Sequence, residues 1–213
     1  MQRVILAILV ASLGAGTARA QAPRPHTVRQ PSRFVINGHS VAGLGTSVAP
    51  QGGGFELKTA AGFGGGVQVG YMITPRLTAY AGYEIIKQPI DVVGLNGNFG
   101  LKHLEAGARL SFPTRKSRMM PYVGGWVGRR TLTSTLEDFE TGQEADYSLS
   151  GLAAGVSGGV QYFVSPKLSL DGGLSLGIGK FGNEKIDGQH TTDAPAMRNS
   201  TTARVQLGAN WYP

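Results

Sequence analysis

Apolar residues alternate with glycine or polar residues along most of the chain. In the last segment an apolar set separates from a polar set: Ala203, Val205, Leu207, Ala209 and Trp211 against Arg204, Gln206, Gly208 and Asn210. A period of two residues indicates a β-strand, because successive side chains of a strand point to opposite faces. The pattern predicts eight strands, near residues 39–48, 61–73, 76–87, 98–112, 121–134, 147–164, 167–181 and 199–212.

One turn occurs twice, as YMITPRLT at residues 71–78 and as YFVSPKLS at residues 162–169. Proline together with threonine or serine favours a tight reversal of the chain, so each copy predicts a β-hairpin. The tyrosine before each turn suits a membrane–water interface. Short connections near 73–76, 113–120 and 164–167 alternate with longer ones near 49–60, 88–97, 135–146 and 182–198, as periplasmic turns alternate with extracellular loops in a membrane barrel.

Composition supports a barrel that spans a membrane. The polar faces are rich in glycine and serine, which suits the narrow interior of an eight-stranded barrel, whereas a water-facing surface would carry more lysine and glutamate. We therefore predict an all-β fold, an eight-stranded antiparallel up-and-down transmembrane β-barrel over residues 38–213. The fifth strand is ambiguous, since Tyr122 and Trp126 compete with Val123 and Val127 for the lipid face.

The N-terminus has the features of a secretory leader. A positive start at Arg3, an apolar stretch over 4–13 and small residues around Ala18 and Ala20 predict a signal peptide over residues 1–20. Residues 21–37, with three prolines, are predicted to be a flexible segment. The absence of cysteine excludes disulfides and thiolate metal sites. The basic excess does not indicate nucleic acid in an exported chain, so no nucleic-acid partner is expected.

The repeated Tyr-x-x-Thr/Ser-Pro-x-Leu turns, the Pro121-Tyr122-Val123-Gly124-Gly125 strand opening and the alternating last strand resemble the OmpA-like eight-stranded outer-membrane β-barrel family, the porin-like outer membrane protein β-barrel domain. The resemblance implies a location in the bacterial outer membrane. It also implies the barrel assembly machinery as a partner during insertion, because family members commonly end in an aromatic residue that this machinery recognises. Here Trp211 and Tyr212 are followed by Pro213.

Five charged residues fall on the predicted inner faces: Glu84, Glu105, Arg109, Asp171 and Arg204. Unpaired charges in a confined interior are costly, so we expect a network of salt bridges and hydrogen bonds. Its plainest role is a structural plug, and the alternative is a gate that admits ions.

A second set of basic residues lies near the predicted outer ends of the strands: Lys58, Lys87, Lys102, Arg129, Arg130, Lys180 and Arg198. Cations at that level can pair with lipopolysaccharide phosphates. We therefore expect outer-membrane lipids, including lipopolysaccharide, as partners.

No catalytic residue, cofactor site or metal site is predicted. The histidines His26, His39, His103 and His190 lie in separate regions of the chain, with His39 near the periplasmic end of the first strand. We expect a monomeric, non-enzymatic outer-membrane barrel that contributes to envelope integrity or to surface interaction through its extracellular loops. The alternatives are a lipid-modifying enzyme of the outer leaflet and a small gated pore.

Overall fold

The computed structural model describes residues 32–50, 57–58, 61–89, 98–114, 118–137, 144–186, 189–190 and 198–213. Within these ranges the chain is almost entirely β-structure, and no helix there is long and apolar enough to cross a membrane. The strands are β1 (Phe34–Pro50), β2 (Leu57–Lys58), β3 (Gly62–Met72), β4 (Leu77–Pro89), β5 (Asn98–Ser111), β6 (Met119–Glu137), β7 (Glu144–Ser165), β8 (Leu168–Ile186), β9 (Gln189–His190) and β10 (Arg198–Trp211).

Eight long strands close into a barrel. Each pairs antiparallel with its neighbour in the order β1, β3, β4, β5, β6, β7, β8, β10, and β10 pairs back with β1. The two-residue strands are additions to this ring, β2 on β1 and β9 on β8. The predicted eight-stranded antiparallel barrel is confirmed.

The strands are staggered around the barrel. A row of register partners that starts at Phe34 on β1 passes around all the long strands and returns to β1 beside Leu44, about ten residues further along. A stagger of this kind requires the strands to tilt against the barrel axis. The row of register partners therefore climbs towards the long-loop end as it passes from β3 to β10. On each successive strand, the residue at the same height lies about one residue nearer the periplasmic end than the register partner.

The alternation separates a lipid-facing surface from an inner surface. The alternating apolar residues of β4, β5, β8 and β10 point outward. Val123 and Val127 share this outer face, while Tyr122 and Trp126 are buried inside. The fifth predicted strand is thereby resolved. Aromatic rings surround the barrel near its short-turn end, as expected at a membrane interface: Phe34, Tyr71, Phe112, Tyr162 and Trp211.

The repeated sequence does form the same kind of turn in both places. In the first copy the Thr74 hydroxyl accepts hydrogen bonds from the backbone N–H groups of Arg76 (3.3 Å) and Leu77 (3.0 Å). In the second copy the Ser165 hydroxyl accepts from the N–H of Lys167 at 3.3 Å. The hydroxyl thus satisfies donors that the reversal takes out of the strand ladder, which explains why threonine and serine are interchangeable there.

Two boundaries differ from the sequence-based prediction. Strand β1 begins at Phe34, so the end of the predicted flexible segment 21–37 is already strand, because the alternation starts there, with Phe34 and Ile36 outside and Val35 and Asn37 inside. The strands also run well into the regions predicted as long loops, since β6 continues to Glu137 and β7 starts at Glu144. The predicted signal peptide lies outside the described residues.

A charge placed on the outer face tests this assignment. Val123 lies on the outer face of β6 between Met119 and Arg129, and Thr131 lies on the same face beyond Arg129. Val123→Arg should lower the free energy of unfolding in lipid vesicles by about 2–4 kcal/mol, and Thr131→Arg by only about 0–1 kcal/mol, because the cost falls from the middle of the bilayer to its interface. Denaturant titration of both variants measures the difference, and equal costs would contradict the proposed membrane level.

Candidate functional site: the barrel interior and the outer belt

The interior is built in three layers. An apolar layer lies at the short-turn end and consists of Val35, Met72, Met120, Phe163 and Tyr212. A second apolar layer lies towards the long-loop end and consists of Val41, Ile86, Leu101, Leu132, Leu149 and Phe181. Charged and polar side chains fill the space between them, so the charged groups are enclosed on both sides.

Arg204 is the centre of the polar layer. Its guanidinium donates to the Glu84 carboxylate and, at 3.0 Å, to the Glu105 carboxylate. It also donates to the Ser175 hydroxyl at 3.1 Å. All three partners are almost fully buried. One cation therefore bridges two acids from neighbouring strands, a geometry to which the fork of an arginine is suited.

Two histidines that are far apart in the sequence meet at this network. His39 Nε2 lies 2.9 Å from Glu84, and His103 Nδ1 lies 3.2 Å from Glu105 and 3.8 Å from Glu84. The two histidines are distant in the chain but meet at Glu84. The prediction that His39 lies near the periplasmic end of its strand is wrong. Because β1 starts earlier than predicted, His39 lies well inside the barrel.

A second cluster surrounds Asp171. Its carboxylate accepts from Arg109 at 2.9 Å, from the Tyr122 hydroxyl at 2.9 Å and from Asn210 at 3.3 Å. The Arg109 guanidinium also lies 4.0 Å from the centre of the Tyr122 ring. All five residues predicted for the inner network therefore lie inside, in two groups: Arg204 with Glu84 and Glu105, and Arg109 with Asp171.

The aromatic and amide residues that complete these clusters were not predicted from the sequence. The Trp126 indole donates to Ser175 at 2.9 Å and lies 5.0 Å from the Arg204 guanidinium. The signal was available, because Trp126 shares the parity of the inner residues of β6. The ambiguity of that strand concealed it.

Arg130 is not on the outer surface. Its side chain is only 2% exposed and its guanidinium lies 5.2 Å from the centre of the Trp126 ring. The prediction that Arg129 and Arg130 both contact lipid headgroups is therefore wrong for Arg130. Consecutive residues of a strand point to opposite faces, so only one of the two can face the lipid.

Four of the predicted outer cations form a belt, which we call the outer belt: Lys87, Lys102, Arg129 and Lys180, all exposed on the outer face. Lys102 lies two residues to the periplasmic side of the register partner of Lys87, and Arg129 lies two residues to the periplasmic side of the partner of Lys102. Lys180 shares a row with Leu152 and Arg129. The first two offsets are slightly larger than the stagger, whereas Lys180, in the same row as Arg129 but two strands further on, lies about two residues nearer the long-loop end. The four cations therefore form a shallow band that is about two to three residues deep.

The outer belt marks the upper edge of the apolar surface. On β5 the outer face between Lys102 and the short-turn end is apolar throughout. Ten residues of a strand tilted by ~40° rise about 25 Å, which equals the apolar band of an outer-membrane barrel. Arg129 also donates to the Ser150 hydroxyl at 3.0 Å, which lies on the long-loop side of its register partner Leu152.

The side chains of the remaining predicted cations and histidines are not among those that the structure describes. For Lys58, Arg198 and His190 only the strand backbone is described, and His26 lies outside the described residues. Among the described residues no group of three or more acidic or histidine side chains could hold a metal ion.

Comparison with known proteins gives the family. The family model "Outer membrane protein beta-barrel domain" matches residues 8–211, and the chain belongs to this family of outer-membrane barrels. No curated protein sequence matches the chain.

Solved structures of outer-membrane proteins share the fold. Neisserial surface protein A has a TM-score of 0.57 at 20% identity, over 85% of this chain and 98% of its own. Ail, the attachment invasion locus protein of Yersinia pestis, has a TM-score of 0.52 at 15% identity, over 84% and 98%. OprG from Pseudomonas aeruginosa has a TM-score of 0.53 at 12% identity, over 84% and 95%. At these identities the likeness shows the fold alone, and with the family it places this protein in the bacterial outer membrane.

Removal of the central cation should destabilise the barrel strongly. Arg204→Met leaves Glu84 and Glu105 buried without their guanidinium, and breaking a buried ion pair in this way costs about 3–5 kcal/mol. Arg129→Met removes the same side chain from the outer face and should change stability by no more than about 0.5 kcal/mol in phosphatidylcholine vesicles. Urea unfolding measures the free energy of unfolding of both variants. Similar losses of stability would show that the buried network contributes no more than an exposed arginine does.

Proposed function

We propose that this protein is a non-enzymatic barrel that reinforces the outer membrane by holding lipopolysaccharide headgroups at its outer belt. The observation that carries the proposal is the belt itself, Lys87, Lys102, Arg129 and Lys180, in a shallow band above the apolar surface. Phosphate groups at the boundary of the outer leaflet meet these cations at the level where the strands leave the hydrocarbon.

The geometry of the belt favours headgroup binding over a simple termination of the strands. Leu152, which is 76% exposed, lies in one row between Arg129 and Lys180. The patch therefore offers an acyl-chain contact beside two cations. Neighbouring lipopolysaccharide molecules repel one another through their phosphates, and a fixed row of cations relieves that repulsion.

The lipid-modifying alternative finds less support in the described residues. His39 and His103 are enclosed in the polar layer and bonded to carboxylates, and neither reaches the outer face where a lipid substrate would lie. A role in surface interaction stays an expectation, since the connecting segments 51–56, 90–97, 138–143 and 191–197 lie outside the described residues.

Neutralisation of the belt tests the proposal. Wild-type protein should gain stability when phosphatidylcholine vesicles are replaced by vesicles that contain lipopolysaccharide. The variant with Lys87, Lys102, Arg129 and Lys180 all changed to Gln should lose most of this gain, about 1–4 kcal/mol at ~0.2–1 kcal/mol for each partly exposed pair. Urea unfolding in the two kinds of vesicle measures it.

The matched control removes four charges at the other end of the barrel. Arg33, Arg76, Arg118 and Lys167 are all exposed near the short turns. Changing these four to Gln should leave the gain from lipopolysaccharide intact. If both variants lose the gain equally, the effect belongs to net charge and the belt has no specific role.

The layered interior favours a closed barrel over a gated pore. An ion crossing the barrel would pass two apolar layers and would have to displace the salt bridges of Arg204 and Arg109. A cavity of about 20 Å³ lies near the short-turn end beside Arg109 and Gln161, which is room for about one water molecule.

We accordingly expect the purified barrel to be electrically silent in planar bilayers. Phe181→Ala should also be silent, because the polar layer and the apolar layer at the short-turn end remain closed. Sustained single-channel conductance of the wild-type protein would favour the gated pore and contradict the closed barrel.

A further inference from the structure

The polar layer contains a group of atoms that the network leaves without partners. Among the described residues no hydrogen-bond partner exists for Arg130 Nη1 and Nη2, His103 Nε2, Ser200 Oγ and Thr202 Oγ1. All four side chains are at least nine-tenths buried. Buried polar groups in native proteins are nearly always satisfied, so a cluster of unsatisfied ones indicates a bound species.

These atoms belong to neighbouring inner positions, and we call the region between them the pocket. His103 is the register partner of Arg130. A Cβ atom at Gly177 would lie 2.4 Å from Arg130 Nη2, so the guanidinium covers this glycine, and Thr202 is the register partner of Gly177. Ser200 precedes Thr202 by two residues on β10 and shares its inner face. The absence of a side chain at Gly177 thus leaves room for the guanidinium and for the Trp126 ring beside it.

The pocket has a surplus of hydrogen-bond donors. A guanidinium can only donate. His103 Nδ1 lies 2.6 Å from Arg204 Nη1, a donor, and 3.2 Å from the Glu105 carboxylate, an acceptor, so the surplus rests on the guanidinium of Arg130. The hydroxyls of Ser200 and Thr202 can also donate. The missing partner is therefore an acceptor.

The charges of the polar layer also favour a negative ligand. Arg204 pairs with Glu84 and Glu105, and Arg109 pairs with Asp171. Among the described residues Arg130 makes no ion pair, although its guanidinium is buried. A buried cation without a counter-charge is costly, so a negative ligand beside Arg130 is favoured.

We propose that this pocket binds one small monovalent anion of the chloride type. One such ion pairs with the guanidinium of Arg130 and accepts hydrogen bonds from it and from the hydroxyls of Ser200 and Thr202. Because apolar layers close the interior on both sides, the ion enters while the barrel forms and becomes an internal structural component.

Tryptophan fluorescence provides a direct probe. The chain has two tryptophans, Trp126 beside Arg130 and Trp211 on the outer face. The full chain with Trp211→Phe reports on Trp126 alone, and bromide, which replaces chloride and quenches indole emission, is the ligand used. Protein refolded in bromide should emit less from Trp126 than protein refolded in an equal concentration of chloride. Trp126→Phe, which leaves Trp211, corrects for collisional quenching from solution.

Variants of the pocket decide the assignment. In the Trp211→Phe background, Arg130→Met should abolish the difference between bromide and chloride, and the milder pair Ser200→Ala with Thr202→Val should reduce it. Arg129→Met, one residue away on the outer face, should retain it in full. If the emission of Trp126 is the same after refolding in either salt, water satisfies the donors and the proposal is overturned. A difference that survives in Arg130→Met would also overturn it.

Discussion

The structure depends on one constraint: hydrocarbon offers no hydrogen-bond partner to a peptide group. A sheet in a membrane can therefore have no open edge, and the ladder must close on itself. Here closure requires β1 and β10, which come from the two ends of the described chain, to pair along most of their length. No subset of strands satisfies the constraint, so the barrel is stable only when complete.

Closure also decides what the interior contains. Lipid replaces water as the outer solvent, so the apolar residues face outward and the inner wall must satisfy its own polar groups. Large side chains fill the narrow space only because glycine stands opposite them: a Cβ at Gly155 would lie 2.4 Å from the Trp126 ring, and one at Gly159 would lie 2.5 Å from the Tyr122 hydroxyl. The abundance of glycine is thus a packing requirement of a polar core that contains aromatic rings and arginines.

Alternation made most of the architecture predictable from the sequence. It determined the strand count, the outward faces of β4, β5, β8 and β10, and the inner positions of Glu84, Glu105, Arg109, Asp171 and Arg204. It did not give the pairing of His39 and His103 with Glu84, because contacts across the interior depend on the stagger, which a single strand does not encode. Arg130 was misplaced for a simpler reason: its position was read from its charge instead of from the parity of its strand.

The stagger links the interior to the outer surface. A slip of one residue in the register of a strand exchanges its two faces. On β6 such a slip would move Arg130 out of the pocket beside Trp126 and onto the outer face. It would also bury Arg129, so the outer belt would lose one cation. Trp126 and its hydrogen bond to Ser175 oppose the slip, because an indole on the outer face would leave the Ser175 hydroxyl buried without this donor. The polar layer therefore fixes the register, and the register in turn sets the height at which the belt meets the membrane surface.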